Sequence, residues 1–358
     1  MSRFDAGAYL RLIRGQTSGL TAVGARTLLR CAAAGYGAAI ALRNGAFESG
    51  WLRVHRLGVP VVSVGNLTVG GTGKTPMVEW LARWFRARGT RVVIVSRGYR
   101  REQGLNDEGR VLEENLPDVP HLQDRDRVRA GRIALEELEA ELLLLDDGFQ
   151  HRRLARDLDV VLLDALEPFG LGQLLPRGLL REPLRSMRRA DLVVLSRADL
   201  IRPAERAAIR AEAERRAGPL RWVEARHAPL DLVDGEGSRS PHGNLAGQRI
   251  AAFCGIGNPE GFRQTLLTMG PELCDFRVYP DHHNYSAADV AALQRWAGDL
   301  KANLVLTTQK DLVKLRTGSL GAAPLRALRI GLEIVAGGDV MDDALARLLP
   351  ESRRGGPV

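Results

Sequence analysis

Five short apolar runs punctuate the middle of the chain, and their spacing sets the first expectation. Val59–Val64 is β-branched, Arg91–Ser96 reads RVVIVS, Glu141–Leu145 reads ELLLL, Asp159–Leu163 reads DVVLL and Asp191–Leu195 reads DLVVL. Helical spacing of apolar positions fills Thr75–Arg88 and the stretch near Arg125–Glu139 between them. Strands that are apolar throughout, rather than at every second position, are covered on both faces. The pattern therefore predicts an α/β fold, a parallel sheet sandwiched by helices, with ligands gathering at the carboxyl ends of the strands.

Past residue 200 the pattern changes. Residues 201–248 are Arg/Ala-rich and then polar (DLVDGEGSRSPHGN), which predicts a helix followed by a linker. Alternation then resumes with a strand at Arg249–Phe253, a helix over Pro259–Met269 and a strand at Asn303–Leu306. We expect residues 1–50 as an N-terminal helical segment, 51–220 as the main domain and 221–358 as a second, smaller α/β domain. A length of 358 residues suits about two domains.

The first 50 residues differ from the rest. Arg3, Arg11, Arg14, Arg26, Arg30 and Arg43 punctuate an Ala/Leu/Gly background in which Asp5 is the only acid before Glu48. The longest uncharged run, Cys31–Leu42, is 12 residues, shorter than the roughly 20 apolar residues of a spanning helix. The segment also lacks the layout of an export signal. A basic helix with one apolar face can lie on an anionic membrane surface, each cation contributing about 1 kcal/mol; packing on the main domain is the alternative. Composition adds two points. The formal charge of +8 invites a nucleic-acid reading, but only four of the 51 basic residues are lysines, a chain-wide arginine bias without a local patch, so no nucleic acid is expected as partner. Cys31, Cys254 and Cys274 form no Cys-x-x-Cys pair, which predicts a reducing, cytoplasmic compartment.

The strongest local signal follows the first strand. In VVSVGNLTVGGTGKTP, residues Thr68, Val69, Gly70, Gly71, Thr72, Gly73, Lys74 and Thr75 lie between a strand and a helix. Glycines turn backbone N–H groups onto a phosphate, the helix N-terminus adds its dipole, the lysine reaches the β and γ oxygens, and Thr75 can hold Mg²⁺. Thr68 stands where the general G-x-x-x-x-G-K-[ST] pattern has glycine. The ELLLL strand ends in Asp146 and Asp147, placed as an aspartate that orders a metal beside the phosphates. Adjacent carboxylates repel, so a nearby cation is expected to keep both ionised. The DLVVL strand ends in Ser196, Arg197, Ala198 and Asp199, faintly like the base-reading turn of GTPases and read here as mainly structural.

Seven motifs together resemble one family. SVGNLTVGGTGKTP (63–76), SRGY (96–99), DDGFQH (146–151), LLPRGLLREPL (174–184), GIGNP (255–259), PDHH (280–283) and QKD (309–311) occur in this order over residues 59–315, similar to the lipid A 4′-kinase family. The resemblance implies transfer of the ATP γ-phosphate to the 4′-hydroxyl of a tetraacylated glucosamine disaccharide 1-phosphate. It also implies a peripheral position on the cytoplasmic face of the inner membrane, reached through the N-terminal helix.

It implies roles for individual residues as well. ATP is held by Thr68–Thr75; Asp146, Asp147 and Glu182 lie near Mg²⁺ with Thr75; Asp107, in Asn106-Asp107-Glu108, is the catalytic aspartate, and His282 its partner. The family's Gly-Asp-Glu stretch has asparagine in place of glycine here. Arginines between Arg181 and Arg189 are candidates for the acceptor's own phosphate or form a solvated basic face. The rival reading is a P-loop GTPase or metallochaperone-type switch, which shares the phosphate loop and would require selective guanine binding.

Overall fold

The computed structural model describes residues 6–98, 107–243, 245–315 and 317–353. Two helices open the chain, α1 (Ala6–Ile13) and the 29-residue α2 (Leu20–Glu48). Next come β1 (Val61–Asn66), α3 (Lys74–Arg86), β2 (Val92–Ser96), α4 (Asp107–Asn115), β3 (His121–Gln123), α5 (Arg127–Leu138), β4 (Leu142–Asp146), β5 (Leu158–Asp164), β6 (Leu192–Ser196) and α6 (Pro203–Ala217). The remainder holds β7 (Trp222–Val233), β8 (Arg239–Pro241), β9 (Arg249–Cys254), α7 (Pro259–Thr268), β10 (Glu272–Val278), α8 (Ala287–Asp299), β11 (Leu304–Thr308), α9 (Gln309–Leu315), β12 (Ser319–Leu320), β13 (Ala323–Ala336) and α10 (Gly338–Ala346).

All these strands belong to one sheet, in the order β3-β2-β4-β1-β5-β6-β7-β13-β11-β9-β10, with β8 beside β7 and β12 beside β13. Along this order pairing is parallel on either side of the centre, β7 and β13 meet antiparallel between the two halves, and the short β8 and β12 pair antiparallel with β7 and β13. The apolar strands alternate between two cores. Val62, Val64, Leu142 and Leu144 face α3, α4 and α10, while Val61, Val93, Leu143 and Leu145 face α5. In the second half, Val305 and Phe253 face α8, and Leu306 and Ala252 face α7. This is the sandwiched parallel sheet that the apolar runs predict.

The stretch read as helix and linker is where the structure departs. A helix is present at 203–217, but the following residues form β7, a 12-residue strand, and β8. The signal is weak because the strand passes from one core to the other. Trp222, Val223 and Ala225 are buried in the first half and Leu232 and Val233 in the second, whereas Arg226 to Asp231 between them are covered by neither core and include charged residues. The boundary drawn after residue 220 falls just before this shared strand. Beyond β13 the chain returns to the first half, where Met341, Ala344, Leu345 and Leu349 join the core of α3.

That return has a measurable consequence. Leu345 is fully buried, so Leu345→Ala should cost about 2–5 kcal/mol of unfolding free energy. Chemical denaturation checks this; a loss below about 1 kcal/mol would mean that the closing helix is not part of the first core.

Candidate active site

The phosphate loop leaves the carboxyl end of β1 and is braced on every side. Gly73 caps α3 in a left-handed conformation (φ 90°), with no side chain capping the first helical N–H groups. Such uncapped groups suit an anion. A Cβ on Gly73 would also lie 2.5 Å from Nε2 of His227 on β7, so glycine is required twice over. Asn66 Nδ2 donates to Thr72 Oγ1 (2.9 Å) and Ser196 Oγ to the Thr72 carbonyl (2.8 Å). Thr68 forms an antiparallel bridge with Leu180, and the neighbouring Val69 N–H donates to Leu179 O. Extended, paired backbone suits a β-branched residue, which accounts for threonine where the general pattern has glycine.

The Ser196–Asp199 turn is spent on the loop. Arg197 Nη1 pairs with Asp164 (2.6 Å) and Nη2 donates to the Gly71 carbonyl (3.1 Å). Asn258 in the GIGNP motif donates to the same Asp164 carboxylate, and its neighbour Gly257 lies so close that a Cβ there would come within 2.9 Å of Gly71 N. The two halves thus touch at the loop.

Asp146 ends β4 opposite Val64 of β1, and Asp147 follows in a left-handed conformation (φ 52°). Their environments split them. Burial, reinforced by the charge of Glu108, pushes the Asp146 carboxyl up to about 7. Burial acts on Asp147 too, but Lys74 (3.5 Å) and Arg181 (2.8 Å) hold it down to about 2. Arg127 Nη2 fixes both main-chain carbonyls at 3.1 Å. Asp146 Oδ1 is buried and without a partner among the described residues. An orphaned carboxylate oxygen beside a phosphate loop fits a hard, oxygen-seeking cation such as Mg²⁺.

Glu182 is placed differently. It is fully buried, Oε2 accepts from Asn44 of α2 (3.1 Å) and Arg189 (2.9 Å), and it does not line the cleft that the loop and Asp147 share. Three of the four arginines from 181 to 189 have carboxylate partners: Arg181 with Asp147, Arg188 with Glu48 and Arg189 with Glu182.

Opposite the phosphate loop, the second half presents α9 and the turn after β10. Asp311 is fully buried and accepts from Gly255 N (3.0 Å), Tyr285 Oη (3.0 Å) and Thr308 Oγ1 (2.6 Å), tying the GIGNP loop, the β10–α8 connection and α9 together. His282 sits in this connection at φ 57° and donates its N–H to Gly255 O (3.2 Å). Its Nδ1 lies 3.3 Å from Asp107 Oδ2, at the start of α4 in the first half. This bond raises the imidazole above its ordinary value. Although burial opposes it, Asp107 is held below the usual carboxylate range by His282 and Lys314. Tyr99 and Asn106, from two of the motifs, lie outside the described residues.

A single cleft of about 1050 Å³ holds Gly70–Thr75, Asp147, Asp107 and His282. Sequence reasoning passed over Lys310 and Lys314 in this wall. Lys314 Nζ lies 2.9 Å from Asp107 Oδ2, and Lys310 pairs with Glu108 (2.5 Å), holding that carboxyl down to about 2. The available signal was scarcity: three of the chain's four lysines face one cleft.

Comparison with known proteins bears on this geometry. The family model for tetraacyldisaccharide-1-P 4′-kinase matches residues 25–349. A tetraacyldisaccharide 4′-kinase of Anaeromyxobacter dehalogenans (strain 2CP-C) is 43% identical over 338 residues, 89% of each chain. Its counterpart from Syntrophus aciditrophicus (strain SB) is 40% identical over 326 residues, 84% of this chain and 87% of that one. The crystal structure of LpxK from Aquifex aeolicus in complex with ATP superposes with a TM-score of 0.69 at 30% identity, covering 91% of this chain and 99% of the other. With a family model spanning most of its length and relatives this similar over nearly as much, the chain belongs to the tetraacyldisaccharide 4′-kinase family of lipid A biosynthesis.

Proposed function

We infer that this chain transfers the γ-phosphate of ATP to the 4′-hydroxyl of a tetraacylated glucosamine disaccharide 1-phosphate. One observation carries the assignment of roles. Asp107 and His282 come from opposite halves of the sheet, yet they meet in the cleft that the phosphate loop lines. ATP as the donor is supported by the Aquifex aeolicus LpxK structure, which contains it.

Phosphoryl transfer asks the protein mainly for positioning and charge stabilisation. Residues 68–75, with Lys74 and the open N-terminus of α3, hold the triphosphate. Asp107 meets the acceptor hydroxyl, and His282, donating from Nδ1 to Asp107, orients that carboxylate and shares the proton. Thr75, Asp146 and Asp147 would hold Mg²⁺, which when bound neutralises charge on the transferred group. Glu182 commits Oε2 to Asn44 and Arg189 and keeps a buried Oε1 without a partner among the described residues, but it stands outside the cleft that the loop and Asp147 line. Closure of the halves against each other excludes water from the transfer.

The acceptor's acyl chains call for a membrane surface. Among the described residues no helix is long and apolar enough to cross a bilayer. On α2 and just beyond it, Leu20, Leu28, Leu42 and Trp51 are exposed, Trp51 to 87%. Together with the segment's arginines, they suit a peripheral position on the cytoplasmic face of the inner membrane.

Purified protein given ATP, Mg²⁺ and the disaccharide 1-phosphate should yield a bis-phosphorylated lipid, and GTP in parallel should not replace ATP. Asp107→Ala and His282→Ala should each lower turnover by about 10²–10⁴-fold; a loss under about tenfold removes that residue from the acceptor-side role. Lys74→Ala should abolish measurable nucleotide affinity.

Asp146 makes a separate, pH-resolved prediction for the nucleotide-free protein. Its carboxyl is pushed up to about 7 in the fold, against about 4 in an unfolded chain. Stability is therefore fully present below about pH 4 and drains away as pH rises through 7, where the folded carboxyl ionises at a burial cost. Asp146→Asn should melt higher than the parent above pH 7, the difference fading towards pH 4, while activity is lost. Equal melting differences at both pH values would show that Asp146 carries no such cost.

A further inference from the structure

Asp107 is gripped on one oxygen only. Lys314 Nζ (2.9 Å) and His282 Nδ1 (3.3 Å) both meet Oδ2, and among the described residues Oδ1 takes no hydrogen bond. Lys314 is 7% exposed, so its ammonium is not a solvated surface charge that happens to lie near. The helix carrying it is fixed by the buried Asp311, and one turn earlier Lys310 makes a second rung to Glu108.

The choice of residue is informative. This chain has 51 basic residues and only four lysines, so arginine is its default cation. A guanidinium is a planar fork that takes both oxygens of a carboxylate; an ammonium is a point charge that can take one. Lysine at 314 leaves the second oxygen of Asp107 open to the cleft.

We propose that Lys314 is a positioning residue for the transfer: its ammonium holds Asp107 through Oδ2 alone and turns Oδ1 towards the acceptor hydroxyl. This rests on the reading that Asp107 meets the acceptor. In the step it serves, the hydroxyl O–H bond breaks and its proton passes to Asp107 Oδ1. The freed oxygen bonds to the γ-phosphorus of ATP, and the β–γ bridge bond breaks to release ADP. The charged groups acting on Asp107 among the described residues are Lys314 from α9 and His282 from the β10–α8 connection; around them, Glu108 on the same helix as Asp107 meets Lys310, Lys74 and His282, and Asp281 lies beside His282. Lys314 and His282 are the two that touch it.

The test is the pH dependence of kcat and kcat/KM for the parent, Lys314→Met, Lys314→Arg and Asp107→Asn in the full-length protein. Lys314→Met should lower kcat at least tenfold, leave KM for ATP within about threefold, and move the acid limb of the profile up by about 1–3 pH units, because an adjacent cation depresses a carboxyl by that much. Lys314→Arg should keep the acid limb in place yet still lose turnover, as the fork covers Oδ1. An unmoved limb in Lys314→Met, a loss confined to KM for ATP, or parental turnover in Lys314→Arg each overturns the proposal. Should Lys314→Met fail to give a cooperative melting transition, Lys314→Arg decides alone. Asp107→Asn separates the two levels. If it stays within tenfold of the parent, the acceptor-side reading itself fails. If it is inactive while Lys314→Met keeps the parental limb, only the role of Lys314 fails.

Discussion

The antiparallel pairing of β7 with β13 is the constraint on which the site depends. Apart from the short strands β8 and β12, each half of the sheet is parallel within itself, and each presents its carboxyl-end loops on its own account. The ladder from Ala327↔Val233 to Ala336↔Glu224 joins them without a flexible linker. It sets the phosphate loop of one half against Gly257, His282 and α9 of the other. A chain with two separate sheets could hold the same motifs and never bring Asp107 to His282. The middle of the bridging ribbon lies under neither core, and there His227 packs against Gly73 of the phosphate loop.

Electrostatics then decide what the cleft can accept. Its wall carries six Lys and Arg side chains and five Asp and Glu side chains, so the protein alone is close to neutral there. A triphosphate brings several negative charges that this wall does not balance, and a divalent cation is the natural complement. The cations are engaged in advance: Lys74 with Asp147, Lys310 with Glu108, Lys314 with Asp107. Phosphate binding at Lys74 exchanges one carboxylate partner for another anion, which costs less than gathering a free, solvated ammonium. Asp146, neutral below about 7 in the nucleotide-free protein, holds the negative charge that a metal would draw out.

Much of this was legible in the residues because the deciding signals were local. The apolar runs at 59–64, 91–96, 141–145, 159–163 and 191–195 became β1, β2, β4, β5 and β6 within a few residues, since a strand covered on both faces must be apolar at every position. The phosphate loop was legible because glycine and lysine requirements are local as well. What escaped was set by distant pairing. β7 reads as linker because its centre is covered by neither core, and β13 supplies its hydrogen bonds from about a hundred residues away. Lys310 and Lys314 were visible as rare lysines, but nothing in their spacing says that α9 lies across from α4. Glu182 was assigned by resemblance alone, and its engagement by Asn44 and Arg189 depends on where α2 folds back.

That fold-back joins the surface helix to the acids of the site. Tyr36 of α2 donates to the Arg181 carbonyl (2.9 Å), Asn44 to the Glu182 carboxylate, and Arg43 to the Gln150 carbonyl. Arg181 in turn holds Asp147 from its side chain. A helix with exposed leucines on one side and these contacts on the other is tied, within two residues, to the carboxylate that pairs with Lys74. Rigid helices transmit small shifts along their length rather than absorbing them, so the grip of α2 on residues 181 and 182 and the hold of Arg181 on Asp147 are mechanically one arrangement. The fold thus brings Arg181, whose carbonyl α2 holds, to bear on the same aspartate that faces the phosphate loop.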